Sequence, residues 1–133
     1  MTAATPEGIY MTTRINTLDD MTQQAALLDQ LPVGITVIDL AGRIRYYNEY
    51  CARLVDRKPE YLGEDIRSCH KKADSVVAID RILDDIQAGR RKEVYYETER
   101  KGKTLAVTIS PYEVDGKRVG TIQSIVVKRS SAG

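Results

Sequence analysis

The chain has no phenylalanine and no tryptophan, and its only histidine is His70. All eight aromatics are tyrosines, each an apolar ring whose hydroxyl needs a partner when buried. Such a set suits either a polar-lined cavity or a series of sheet rims, and the sequence leaves both open. With one histidine, a Cys-His or Ser-His pair would have to use His70. The neighbouring Cys69 is badly placed for that, and no separate orienting carboxylate is evident. There is no Walker loop, no Gly-x-Gly-x-x-Gly and no kinase signature. Asp84-Asp85 reads as the solvated end of an amphipathic helix, and Arg90-Arg91-Lys92 as cations favoured just after it. The residues point away from an enzyme.

Other shortages narrow the class further. Two cysteines, Cys51 and Cys69, make no disulfide framework, and reduced thiols fit a cytoplasmic protein. Twenty Lys plus Arg stand against nineteen Asp plus Glu, a formal charge of +1. That balance gives no electrostatic case for nucleic acid or an anionic membrane. No apolar run approaches the roughly 20 residues of a membrane helix. The opening MTAATPEGIYMTTR has neither the basic start nor the apolar stretch of a secretory signal. The expected address is cytoplasmic. At 133 residues the chain is one domain, long enough for a full core without disulfides or metal.

The most informative stretch is 31–57, LPVGITVIDLAGRIRYYNEYCARLVDR. Leu31-Pro32 closes what precedes it, because proline disfavours helix at the residue before. Ile35, Thr36, Val37 and Ile38 form a β-branched run suited to a strand. Asp39-Leu40-Ala41-Gly42 reverses the chain, and 43–47 returns as the second half of a hairpin. Asn48 then caps a short helix over 49–56.

Residues 1–16 form an aperiodic arm. Thr17 and Asp20 open a flanking helix over 17–30, with Leu18, Met21, Ala25 and Leu28 on one apolar stripe. Lys58-Pro59 begins a turn or a short helical turn, and 64–72 is a loop or broken helix. Asp74 or Ser75 caps the next helix, whose apolar face is Val76, Ile79, Leu83 and Ile86 with Ile82 beside them, and Gly89 ends it. Three strands follow over 92–99, 104–112 and 118–128, turned at Lys101-Gly102-Lys103 and at Asp115-Gly116. The last strand carries apolar residues on both alternating sets and needs a cover on both faces. One cover is the helices; the other is the flanking helix or a second subunit. Residues 31–128 form the domain and 129–133 a polar tail. The buried set expected from these patterns is Ile35, Val37, Ile44, Leu54, Ile79, Leu83, Val107, Ile109, Ile122 and Val126.

The order ββαααβββ, with Tyr47-Asn48 after the hairpin, Tyr61-Leu62-Gly63, and Gly116-x-x-x-Gly120 opening the last strand, resembles the PAS domain family over about 29–128. The resemblance implies an α+β fold, a five-stranded antiparallel sheet with helices on one face and an N-terminal flanking helix. It also implies a sensory module in signal transduction or transcription regulation. Such a module binds a small ligand or cofactor and signals through dimer contacts or through an effector or kinase partner. The alternative is a ligand-free dimerisation module. Where many PAS domains carry an Asp-Ile-Thr-like step, this chain has Val127-Lys128-Arg129-Ser130.

Family cofactors separate on local motifs. Flavin PAS domains resemble Gly-x-Asn-Cys-Arg-Phe-Leu, whereas Gly63-Glu64-Asp65-Ile66-Arg67-Ser68-Cys69 displaces the cysteine, so flavin is disfavoured. Covalent haem needs Cys-x-x-Cys-His, and Ile66 stands at its first position. The type with a cysteine-linked chromophore uses a buried Glu that has no match near Cys51. Non-covalent haem b stays open with His70 as axial ligand, beside an organic ligand or none. A homodimer through the stripe of Leu18, Met21, Ala25 and Leu28 is expected.

Overall fold

The computed structural model describes residues 21–69 and 73–129, with the side chains of 73 and 74 left aside. The expected arm over 1–16, the helix opening with Thr17, Leu18 and Asp20, His70, and residues 130–133 lie outside the described residues. Helix α1, Met21–Gln30, leads to β1, Gly34–Asp39, and β2, Ile44–Tyr47. Helix α2, Glu49–Val55, two short 3-10 turns, Pro59–Tyr61 and Ile66–Cys69, and α3, Ala73–Gln87, follow. Strands β3, Val94–Arg100, β4, Lys103–Val114, and β5, Lys117–Val127, complete the order. The strands form one antiparallel sheet, β2-β1-β5-β4-β3. No described helix is long and apolar enough to cross a membrane.

Local chemistry explains the corners. Asp39 Oδ1 accepts from the amides of Ala41 at 3.0 Å and Arg43 at 2.9 Å, which closes the β1–β2 reversal. Lys101 and Gly102 both have positive φ, as do Asp115 and Gly116, the geometry of two-residue hairpin turns that match strand twist. Helix α3 ends as Gly89 was expected to end it. Gly89 donates to Ile86 O at 3.2 Å and Arg90 to Asp85 O at 2.8 Å, a paired C-terminal cap. Its start at Ala73 precedes both expected caps.

The core lies between α3 and the inner face of the sheet, where Ile79, Leu83 and Ile86 meet Leu105, Val107, Ile109 and Ile125. Ile66, from the second 3-10 turn, is fully buried with Ile38 and Ile44. Two strands face the opposite way from the sequence expectation. Thr36, Ile38, Gln123 and Ile125 point inward and are buried. Ile35, Val37 and Ile122 are half-buried, and Val126 is 42% exposed. Leu54 is half-buried and packs on the core. Both alternating sets of β1 and β5 contain β-branched residues, so apolar pattern alone cannot choose the face. The inward sets carry the polar residues Thr36 and Gln123, which both accept hydrogen bonds from Arg57.

An arginine clamp fixes the hairpin to α3. Arg67 Nε bonds Asp65 at 2.8 Å, Nη1 reaches Asp80, and Nη2 donates to Ala41 O at 3.1 Å. Arg67 holds the Asp65 carboxyl below its usual range, chiefly through this side-chain hydrogen bond. A depressed folded pKa means that the stabilisation is fully present above the unfolded carboxylate value, about 4. It is lost as pH falls through the folded value. The Asp65 side chain is 41% exposed, so solvent screening limits the effect to about 0.5–1 kcal/mol. Urea unfolding between pH 5 and pH 2.5 should therefore show the wild type losing that much more stability than Asp65→Asn. Parallel curves for the two proteins would remove Asp65 as an acid-sensitive anchor.

Candidate functional site

A cavity of about 1140 Å³ opens between α2, α3 and the inner face of β3, β4 and β5, somewhat above the roughly 300–1,000 Å³ of typical small-molecule sites. Val55 of α2 and Ile82 of α3, both half-buried, line it, and its floor is the packed core of Ile79, Val94, Leu105, Val107 and Ile125. Its polar end is built from Arg57, Tyr61, Cys69, Tyr96 and Gln123. A second hollow, about 110 Å³ beside Gly42, Arg67 and Asp80, is the edge of the arginine clamp.

Arg57 is the central polar residue. It follows the left-handed Asp56 that terminates α2, and this turn swings its side chain back over the sheet. Nε donates to Thr36 Oγ1 at 3.2 Å and Nη2 to Gln123 Oε1 at 2.9 Å. Thr36 is also hydrogen-bonded to Cys51, with Oγ1 and Sγ 3.3 Å apart. The inward polar residues of β1 and β5 thus hold one guanidinium at the cavity wall. Among the described residues Arg57 has no carboxylate partner, whereas the rim cations Arg91 and Arg100 pair with Asp85 and Asp56, each at 3.6 Å.

Burial pushes the Cys69 thiol up, against the opposing charge of Arg57. It is therefore held as a thiol at neutral pH, not as a reactive thiolate. Burial likewise raises the Tyr96 hydroxyl, with Gln123 and Arg57 acting the other way. Both groups meet the cavity as neutral hydrogen-bonding partners.

The wall connects to α1 through Asn48. Its Oδ1 accepts from Cys51 N at 3.1 Å and Ile35 N at 2.9 Å, and its Nδ2 donates to Leu28 O at 2.7 Å and Val33 O at 2.8 Å. Asp29 Oδ1 of α1 accepts from Glu49 N at 2.8 Å, a second cap on α2.

The expected cap role of Asn48 is present; its four-way junction was not legible. Of the tyrosines, Tyr61 and Tyr96 line the cavity, while Tyr95 stands 56% exposed on the outer face, so both readings of the set hold in part. His70, the expected cofactor residue, lies outside the described residues. Arg57 escaped the sequence reading because its partners are 21 and 66 positions away. Gln123 within an apolar strand was the available signal. Among the described residues no three His, Cys, Asp or Glu side chains gather as a metal site would need.

A family model described as a PAS domain matches residues 24–126. No curated protein matches in sequence. Among solved structures, a C-terminal domain from Streptococcus mutans is 20% identical with a TM-score of 0.71, covering 81% of this chain and 84% of that one. The PAS domain of Bordetella pertussis BvgS is 19% identical with a TM-score of 0.66, covering 86% and 90%. A sensory box sensor histidine kinase structure from Vibrio cholerae is 16% identical with a TM-score of 0.59, covering 94% and 99%. At these identities the likeness is one of fold. The chain spans 38% of a further match, the sensor region of a sensor histidine kinase.

Proposed function

This chain belongs to the PAS domain family, and from that we propose that it is the sensory module of a signalling protein, taking a small organic ligand into the cavity. The observation that carries this reading is the open cavity itself, about 1140 Å³ and lined by both apolar and polar side chains. Occupancy is passed to α1 along a continuous run of hydrogen bonds, from Arg57 through Thr36, Cys51 and Asn48 to Leu28 O. An effector or kinase partner then reads the position of α1. Hydrogen exchange tests the coupling, with naphthalene-1-acetate as the cavity probe. Saturation should slow exchange of the Cys51 and Glu49 amides and alter the amides of α1. Protection confined to the cavity wall, with α1 unchanged, would contradict the route.

The second element of the reading is pairing of two copies through α1. No residue of α1 is buried, and Met21 is 84% and Leu27 47% exposed. On the expected stripe Met21 and Ala25 are exposed and Leu28 is half-buried, and a face left open on a short helix needs a cover, since such a helix gains its stability by packing. Sedimentation of the wild type is expected to report a dimer, and the Met21→Asp, Ala25→Asp double variant a monomer with unchanged circular dichroism. Two monomers at high concentration would end the pairing proposal and leave the cavity reading intact.

A further inference from the structure

We infer that the cavity takes an organic carboxylate, an anion with an apolar body, and that Arg57 is its anchor. The inference rests on the cavity reading above and adds the chemical class of the ligand. A guanidinium has five N–H donors, and Arg57 uses one on Thr36 and one on Gln123. The remaining three, both on Nη1 among them, have no acceptor among the described residues. The two bonds it does make are to neutral oxygens, so they fix the planar group without neutralising it. An arginine oriented by second partners and left with its charge unpaired is preorganised for a planar anion, which it can meet through two parallel hydrogen bonds.

The surroundings favour the same charge. The described lining carries Arg57, Lys58, Arg91 and Arg100 against Asp56 and Glu99, a formal surplus of two positive charges. The whole chain carries only +1. Asp56 is paired with Lys101 at 2.7 Å, whereas the exposed Glu99 bonds only the neutral Thr104 hydroxyl, at 2.5 Å, and keeps its charge. An amine ligand could meet Glu99 but would face repulsion from Arg57. Half-buried Val55 and Ile82, over the core of Ile79, Val107 and Ile125, supply the apolar body's site, and the neutral Tyr96 and Cys69 also line the cavity.

Calorimetry with three probes of one shape tests this: naphthalene-1-acetate, its neutral amide naphthalene-1-acetamide, and the cation 2-(1-naphthyl)ethylamine. The acetate is expected to bind at least about tenfold tighter than the amide, as a charge-assisted hydrogen bond warrants, and the amine weakest. Arg57→Gln should abolish the advantage of the acetate, and Lys117→Gln, outside the lining, should leave it. Arg57→Lys should keep part of it, since the charge remains without the fork; if Arg57→Gln melts below the assay temperature, a full advantage in Arg57→Lys counts against the anchor. Equal binding of acetate and amide, or an advantage surviving Arg57→Gln, would overturn the carboxylate assignment while leaving a ligand cavity. Failure of all three probes to bind would overturn the cavity reading as well.

Discussion

Asn48→Ala should lower the unfolding free energy by about 3–5 kcal/mol, well beyond an ordinary surface substitution. Asn48 is fully buried and its side chain makes four hydrogen bonds with backbone groups of three segments. The lost cap on α2 accounts for about 1 kcal/mol. The Ile35 amide and the carbonyls of Leu28 and Val33 also lose partners, and each buried group left unsatisfied costs about 1–3 kcal/mol where water cannot reach it. Asn48→Asp separates the two halves of the junction. It keeps both acceptor bonds, loses both donors and sets a carboxylate against two carbonyls. That buried carboxyl would have a raised pKa, so its penalty is full at neutral pH and relieved as pH falls and the protonated form donates. Urea unfolding of the three proteins at pH 7 and pH 4.5 measures both effects. A cost below about 1 kcal/mol for Asn48→Ala would mean that α1 and the hairpin are not joined through this residue.

The second large effect is expected at Gly120, for reasons of space and not of dihedral freedom. Gly120 sits opposite Asp39 in the central β1–β5 pair, and a Cβ there would run into the backbone carbonyl of Ile38. Backbone in the middle of a sheet cannot turn aside as a long side chain can. Gly120→Ala therefore has to push β1 from β5, at about 3 kcal/mol or more. Gly102→Ala is the contrasting case. Gly102 has φ +77 and nothing within 4 Å, so only left-handed strain remains, about 1–2 kcal/mol. Thermal unfolding should rank Gly120→Ala clearly below Gly102→Ala. The reverse order would place the close approach elsewhere in the sheet.

Much of this fold was legible because local and tertiary requirements agree. Asp115-Gly116 turns one hairpin with both residues at positive φ, and Ile79, Leu83 and Ile86 share the buried face of α3. Legibility fails where a distant partner sets the side chain. Thr36 reads as one more β-branched strand residue, and Gln123 as a solvent-facing one. Both are buried because they hold Arg57. Arg57 itself follows a helix end where any charged residue would be unremarkable, and only the pairing of β1 with β5 brings its two partners side by side. The strand faces and the site were thus missed together, from a single cause.

The most direct test of a ligand cavity between the helices and the sheet is methyl NMR during titration with naphthalene-1-acetate. The account predicts that Ile79, Ile82, Leu105, Val107 and Ile125 shift on saturation, while Ile35, Val37 and Ile122 on the opposite face of the sheet do not. Shifts confined to that opposite face, or none at all at millimolar probe, would contradict it.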